Sequence, residues 1–195
     1  MTLIVHIIHK EFQLVALDGR LLPVGTEENF KKHITYNNGL IYFLNEYNDK
    51  NGKWITELIR EKLPEGKSIL DFDEFVQRVF DISFKENDFK NTAIMLCATI
   101  EDKQFCTLIT NDNRKNMEIN TLFISKPELR KFFSVSDISS LKYDYENLCK
   151  IIDEFYSEAI KDDNYDNSFN NKLNIIGFIS KVVMEKSRED NTIRI

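Results

Sequence analysis

The sequence is poor in the residues that mark special architectures. It has 195 residues, with only 6 Gly, 3 Pro and 3 Cys. Three cysteines in a chain of this length cannot hold together a disulfide scaffold. So little Gly and Pro excludes collagen-like and low-complexity readings. No apolar run approaches the ~20 residues that a membrane-spanning helix needs, and no basic region precedes the apolar start Met1-Thr2-Leu3-Ile4-Val5. The chain therefore reads as a soluble, cytoplasmic protein without a signal peptide, its thiols reduced. Positive charge is also short. Lys and Arg number 26 against 32 Asp and Glu, a net charge of −6. That balance argues against nucleic-acid binding, which needs a positive footprint for phosphate.

What the chain does have is apolar content. It is 42% hydrophobic and 12% aromatic, enough to offset the entropy of ordering a chain. The length suits one domain over residues 1–195, with residues 186–195 as a charged tail. Cys97, Cys106 and Cys149 each sit in apolar context and fit no zinc spacing, so they read as small buried hydrophobes. No cofactor or metal motif is present. His6 and His9 lie three apart on a strand and face opposite sides, so they cannot chelate together.

The period of the apolar pattern divides the chain. Thr2 to His9 and Phe12 to Leu17 read as strands joined by a polar turn. Lys32 to Tyr36 and Leu40 to Leu44 flank Asn37-Asn38-Gly39, a sequence that predicts a type I′ hairpin. Helical spacing follows from Lys53 to Pro64. A second helix has Asp71 as cap, with Glu74 placed for a capping box and Phe72, Phe75, Val76, Val79 and Phe80 as its apolar face. Strands return at Thr92 to Ile100, Gln104 to Thr110 and Met117 to Ser125. A short helix is expected from Pro127 to Phe133. A long one is expected from Leu141 to Ile160, with Tyr145, Leu148, Ile151, Ile152, Phe155, Tyr156 and Ala159 on one face. A last strand covers Leu173 to Val183. Helices with long apolar faces between blocks of hairpin strands must cover sheet faces.

The chemistry concentrates at the amino terminus. Removal of Met1, which a small second residue permits, would leave Thr2 as the first residue. An N-terminal Thr carries a hydroxyl nucleophile and an amine base on one residue, and a nearby ammonium favours the free amine.

Three stretches, Thr2-Leu3-Ile4-Val5, Leu14-Val15-Ala16-Leu17-Asp18-Gly19-Arg20 and Phe30-Lys31-Lys32-His33-Ile34, resemble those of proteasome-type N-terminal nucleophile (Ntn) hydrolases. The feel is closest to proteasome β subunits and the HslV-type protease. Asp18 falls at the family's spacing from Thr2. Lys32 falls slightly short of it, which implies a shortened loop over residues 21–29. The late run Leu173 to Lys181 is also similar.

The resemblance implies an α+β fold, a four-layer αββα sandwich of two antiparallel sheets flanked by helices. It implies Thr2 as nucleophile, Lys32 tuning its amine, Asp18 orienting Lys32, and supporting roles for Ser125 and Asp166. The implied partners are a peptide or protein substrate and further copies of the chain as a homo-oligomer, with no nucleic acid and no membrane. The implied activity is a threonine peptidase acting through an acyl-enzyme. The sequence also departs from the family. Tyr42-Phe43-Leu44-Asn45-Glu46-Tyr47 contains no Gly where the family places its oxyanion donor, and Ser125 lacks flanking glycines. A non-catalytic, proteasome-like structural subunit with a degenerate site is the alternative. An amide-transferring relative is a third reading.

Overall fold

A computed structural model describes residues 3–18, 32–45, 54–87, 89, 91–161, 173–179, 182–189 and 192–194. In chain order the strands and α-helices begin with β1 (Ile4–Ile8), β2 (Gln13–Asp18), β3 (His33–Tyr36), β4 (Gly39–Asn45), α1 (Ile55–Lys62) and α2 (Phe72–Phe80). Next come β5 (Thr92–Ile100), β6 (Lys103–Ile109), β7 (Arg114–Asn116), β8 (Thr121–Ile124) and α3 (Tyr145–Ala159). The chain closes with β9 (Leu173–Ile179), β10 (Val182–Glu189) and β11 (Thr192–Arg194). Two antiparallel sheets with helices make a mixed α+β fold, as the sequence led us to expect. No described helix is long and apolar enough to cross a membrane.

The chain divides into two compact units. The first comprises residues 1–31, 119–178 and 184–195, and the second residues 32–118 and 179–183. In the first unit the sheet order is β11-β10-β9-β2-β1-β8. β1 and β2 sit inside that sheet, and every residue of both is buried. Their near-continuous apolar sequence, rather than strict alternation, follows from burial on both faces. Helix α3 starts where the Asp144 carboxylate accepts the Asn147 N–H at 3.1 Å. Its face of Tyr145, Leu148, Cys149, Ile152, Phe155, Tyr156 and Ala159 is buried. Each such large apolar side chain contributes about 1.5–3 kcal/mol on burial. The Tyr145 hydroxyl donates to the Ile175 carbonyl on β9 at 2.8 Å. At Gly177 on that strand, a Cβ would lie 2.9 Å from the Tyr145 ring, so glycine is what lets helix and strand approach.

In the second unit the sheet order is β3-β4-β5-β6-β7. Asp71 caps α2 as expected, its carboxylate accepting the Glu74 N–H at 3.0 Å, and Phe72, Phe75, Val76 and Val79 are buried. The helix then widens into a π-helical stretch over Asp81–Glu86 that no local pattern announced.

Three expectations about the elements are corrected. Asn37 and Asn38 do connect β3 to β4, but neither adopts positive φ. The type I′ geometry belongs instead to Glu101 and Asp102 between β5 and β6, with φ of 49° and 61°. The Asn37-Asn38 turn is held by long-range bonds. The Asn38 amide donates to the carbonyls of Ile69 and Thr99, each at 2.9 Å, and its oxygen accepts the Ile69 N–H at 2.8 Å. Gly39 is required for space, since a Cβ there would run into the Cys97 carbonyl and come within 2.7 Å of Ile69 Cδ1. Second, the run Met117 to Ser125 is strand only over Thr121–Ile124, and a separate short strand precedes it at Arg114–Asn116. β7 ends in one sheet and β8 begins in the other, with Asn120 at a φ of 60° before the new strand. Third, the last strand is two, and β10 and β11 continue through residues read as a tail.

Candidate active site

Within the first unit, side chains from three distant parts of the sequence converge on the backbone at Leu3 and Ile4. The Asp18 carboxylate, at the end of β2, accepts the Leu3 N–H through Oδ2 at 2.8 Å. Ser125, just past β8, accepts the Ile4 N–H through Oγ at 2.9 Å, and its own N–H donates to the Ile4 carbonyl at 3.0 Å. Tyr156 of α3 donates its hydroxyl to the Leu3 carbonyl at 2.7 Å, with the Ala16 carbonyl at 3.3 Å as a weaker acceptor. Local structure makes this possible. β1 lies between β2 and β8 in the sheet, so the ends of both neighbours reach the start of β1. α3 presents Tyr156 from its buried stripe.

The electrostatics of this corner are those of a closed interior. Asp18 and Tyr156 are both fully buried. Burial first, and then the charge of Asp18, push the Tyr156 hydroxyl well above its ordinary pKa, so it stays a donor. Ser125 is half-buried.

Of the residues the sequence pointed to, Asp18 and Ser125 are thus brought together on one stretch of backbone. Lys32 belongs to the second unit. It directly precedes β3, its carbonyl accepts the Phe43 N–H at 3.2 Å, and its side chain is 2% exposed. Among the described residues, Asp18 and Lys32 are the buried members of the Asp, Glu, Lys and Arg set. Thr2 and Asp166 lie outside the described residues, as does Glu46 of the glycine-free segment. Tyr156 is the residue that sequence reasoning passed over. At helical spacing on an apolar stripe it reads as core, and the single available signal was a hydroxyl that a buried stripe must satisfy.

The remaining candidates separate from this corner chemically. His6 Nε2 bonds to Gln13 Oε1 at 3.0 Å, and burial pushes its imidazole down to about 3 despite that bond. His9 Nε2 lies 3.4 Å from the Ser139 carbonyl. No cluster of three or more potential metal ligands occurs among the described residues. The three cysteines are free thiols and buried. In the second unit a cavity of about 330 Å³ is lined by Tyr36, Leu63, Ile69, Leu70, Phe75 and Arg78 among others, and Asp18, Lys32 and Ser125 do not line it.

No protein-family model matches the sequence, and no curated protein matches it. Among solved structures, a Gly-1 mutant of Anbu from Hyphomicrobium sp. strain MC1 is similar to this chain with a TM-score of 0.72. The likeness covers 98% of this chain and 88% of that one at 13% sequence identity. It shows a shared, Ntn-hydrolase-like fold. It also corrects the kinship read from the motifs. The likeness to proteasome β subunits and the HslV-type protease has no sequence match behind it. Anbu is a structural neighbour, and at 13% identity it carries the fold and no activity.

Proposed function

We propose that this chain is an N-terminal threonine hydrolase of amide bonds, a peptidase that works through an acyl-enzyme once Met1 has been removed. Thr2 Oγ attacks the substrate carbonyl carbon while the Thr2 amine takes the hydroxyl proton. The tetrahedral intermediate collapses, the C–N bond breaks and the proton leaves with the amine product. Water then cleaves the ester with the same amine as base. Asp18 and Ser125 hold the backbone that follows the nucleophile. Lys32 is given the role of lowering the amine's proton affinity, on sequence grounds, and Asp166 a supporting role on the same grounds. Copies of the chain are proposed to assemble as a homo-oligomer.

The observation that carries this reading is the grip of Asp18 and Ser125 on Leu3 and Ile4, directly after Thr2. Fixing reacting groups in a narrow geometry is worth several powers of ten in rate, and an anchored start of β1 is what a nucleophile one residue upstream needs. Intact-mass measurement tests the premise, since quantitative retention of Met1 removes the free amine. Labelling by a peptide with a C-terminal electrophile tests the nucleophile. We expect one adduct on wild type and none on Thr2→Ala; equal labelling would take Thr2 out of the mechanism.

One observation favours a second reading, a non-catalytic subunit. The segment that would supply the oxyanion donor is regular strand through Asn45, paired to β5, with bulky buried Tyr42 and Phe43. Loss of one oxyanion donor costs about 2.7–4 kcal/mol of transition-state stabilisation. A folded, processed protein of oligomeric mass by light scattering that no electrophile labels would establish this reading over the first.

A further inference from the structure

The peptide group between Leu3 and Ile4 is held on both edges. Its N–H donates to Ser125 Oγ at 2.9 Å and its carbonyl accepts from the Tyr156 hydroxyl at 2.7 Å. One peptide earlier, the Leu3 N–H donates to Asp18 Oδ2 at 2.8 Å. Peptide groups are planar, so each residue has only two soft dihedrals. Fixing the peptide on either side of Leu3 therefore removes both of its rotations and sets the direction in which the chain arrives at β1.

The sheet alone does not do this. The β-ladder bond to the Leu3 carbonyl, from the Asp18 N–H, is long at 3.3 Å. The Tyr156 bond is the shorter one, and it comes from a residue 153 positions away on α3. A Tyr hydroxyl has one proton to donate. Here it goes to Leu3, with Ala16 at 3.3 Å as the weaker acceptor.

We infer that Tyr156 is a positioning residue, whose hydroxyl orients the amino end of β1 and so presents the hydroxyl and amine of Thr2 to substrate. This rests on the hydrolase reading above. Tyr156 acts through the Leu3 carbonyl. It touches no reacting atom and is not itself a catalytic residue. Burial and the nearby Asp18 charge keep the hydroxyl protonated, so it remains a donor across the working pH range.

The test is the saturation kinetics of labelling by a tripeptide vinyl sulfone, which separates the maximal rate from the concentration dependence. Tyr156→Phe keeps the ring and deletes the hydroxyl. We expect its maximal labelling rate to fall by about 10- to 100-fold, the scale of a small misplacement of reacting groups. The half-saturating concentration and the midpoint of the pH–rate profile should stay at wild-type values. A Y156F protein that melts lower and yet labels at the wild-type rate would overturn the inference, since the hydroxyl would then be purely structural. A shifted pH midpoint with an unchanged plateau would overturn it too, because the hydroxyl would then act on proton affinity and not on orientation. If Y156F does not fold, 3-fluorotyrosine at position 156 keeps shape and hydroxyl and strengthens the donor. Its maximal rate must equal or exceed that of wild type, and a fall would overturn the inference. A processed wild type that never labels overturns the hydrolase reading itself and this inference with it. That result is distinct from equal labelling of wild type and Y156F.

Discussion

His6 should make this protein acid-sensitive in a way that can be separated from every other titrating group. It sits in β1 between Val15 of β2 and Phe123 of β8 and is 0% exposed. An amide oxygen only accepts, so its 3.0 Å bond to Gln13 Oε1 places the ring proton on Nε2. Burial pushes the imidazole from 6.5 down to about 3, with the Gln13 bond opposing the shift. Between those values the unfolded chain binds a proton at this site and the folded chain does not. Stability is therefore complete above about pH 6.5 and falls as pH drops toward 3, with a slope of about 1.4 kcal/mol per pH unit. Over the whole window this is about 5 kcal/mol, set against a total stability of about 5–15 kcal/mol for a domain. Carboxylates also titrate there, so wild type alone is not decisive. His6→Gln keeps a donor for Gln13 and removes the titration. Urea unfolding of both proteins from about pH 7.5 to about pH 4 should show the wild-type advantage shrinking by about 1.4 kcal/mol per unit below pH 6.5. Parallel curves, with a difference independent of pH, would refute the claim that His6 is buried in its neutral form.

Two further outcomes follow from the described geometry. Asn38→Ala removes three buried side-chain hydrogen bonds to Ile69 and Thr99 and should cost about 3 kcal/mol in urea unfolding; a loss below about 1 kcal/mol would mean water replaces them. Burial raises the Cys97 and Cys106 thiols, and all three cysteines are buried, so a disulfide reagent at about pH 8 should leave the native protein unmodified and titrate three thiols in denaturant. Rapid modification of the native state would contradict that burial.

Much of the element order was legible because its causes are local. β1 and β2 are short β-branched apolar runs, α2 carries its own cap at Asp71, and α3 repeats its apolar face every three or four residues. What was not legible depends on partners far along the chain. The Asn37-Asn38-Gly39 turn has the composition of a type I′ hairpin, yet Asn38 is bound to residues 31 and 61 positions away, and that contact decides the backbone. The run from Met117 to Ser125 becomes strand only from Thr121, because the chain first leaves the sheet of β7 and turns at Asn120 before joining the other sheet. In the site, the family resemblance pointed to Asp18 and Ser125, whereas Tyr156 could not be told from core until its hydroxyl had an acceptor.

The site also gained something that spacing could not supply. Asp18-Gly19 alone reads as a turn, and Lys31-Lys32 alone reads as a solvated pair. In the fold, Asp18 and Lys32 are instead the buried Asp and Lys of the described residues. Taking a carboxylate and an ammonium out of water costs several kcal/mol each, and apolar replacements of similar volume are often as stable or more so. Stability therefore gives no reason to keep either charge inside. Asp18 has a use that an apolar residue could not serve, since its carboxylate holds the Leu3 N–H. A buried carboxylate at the end of β2 is thus explained by the backbone it anchors at the start of β1 rather than by any gain in folding energy.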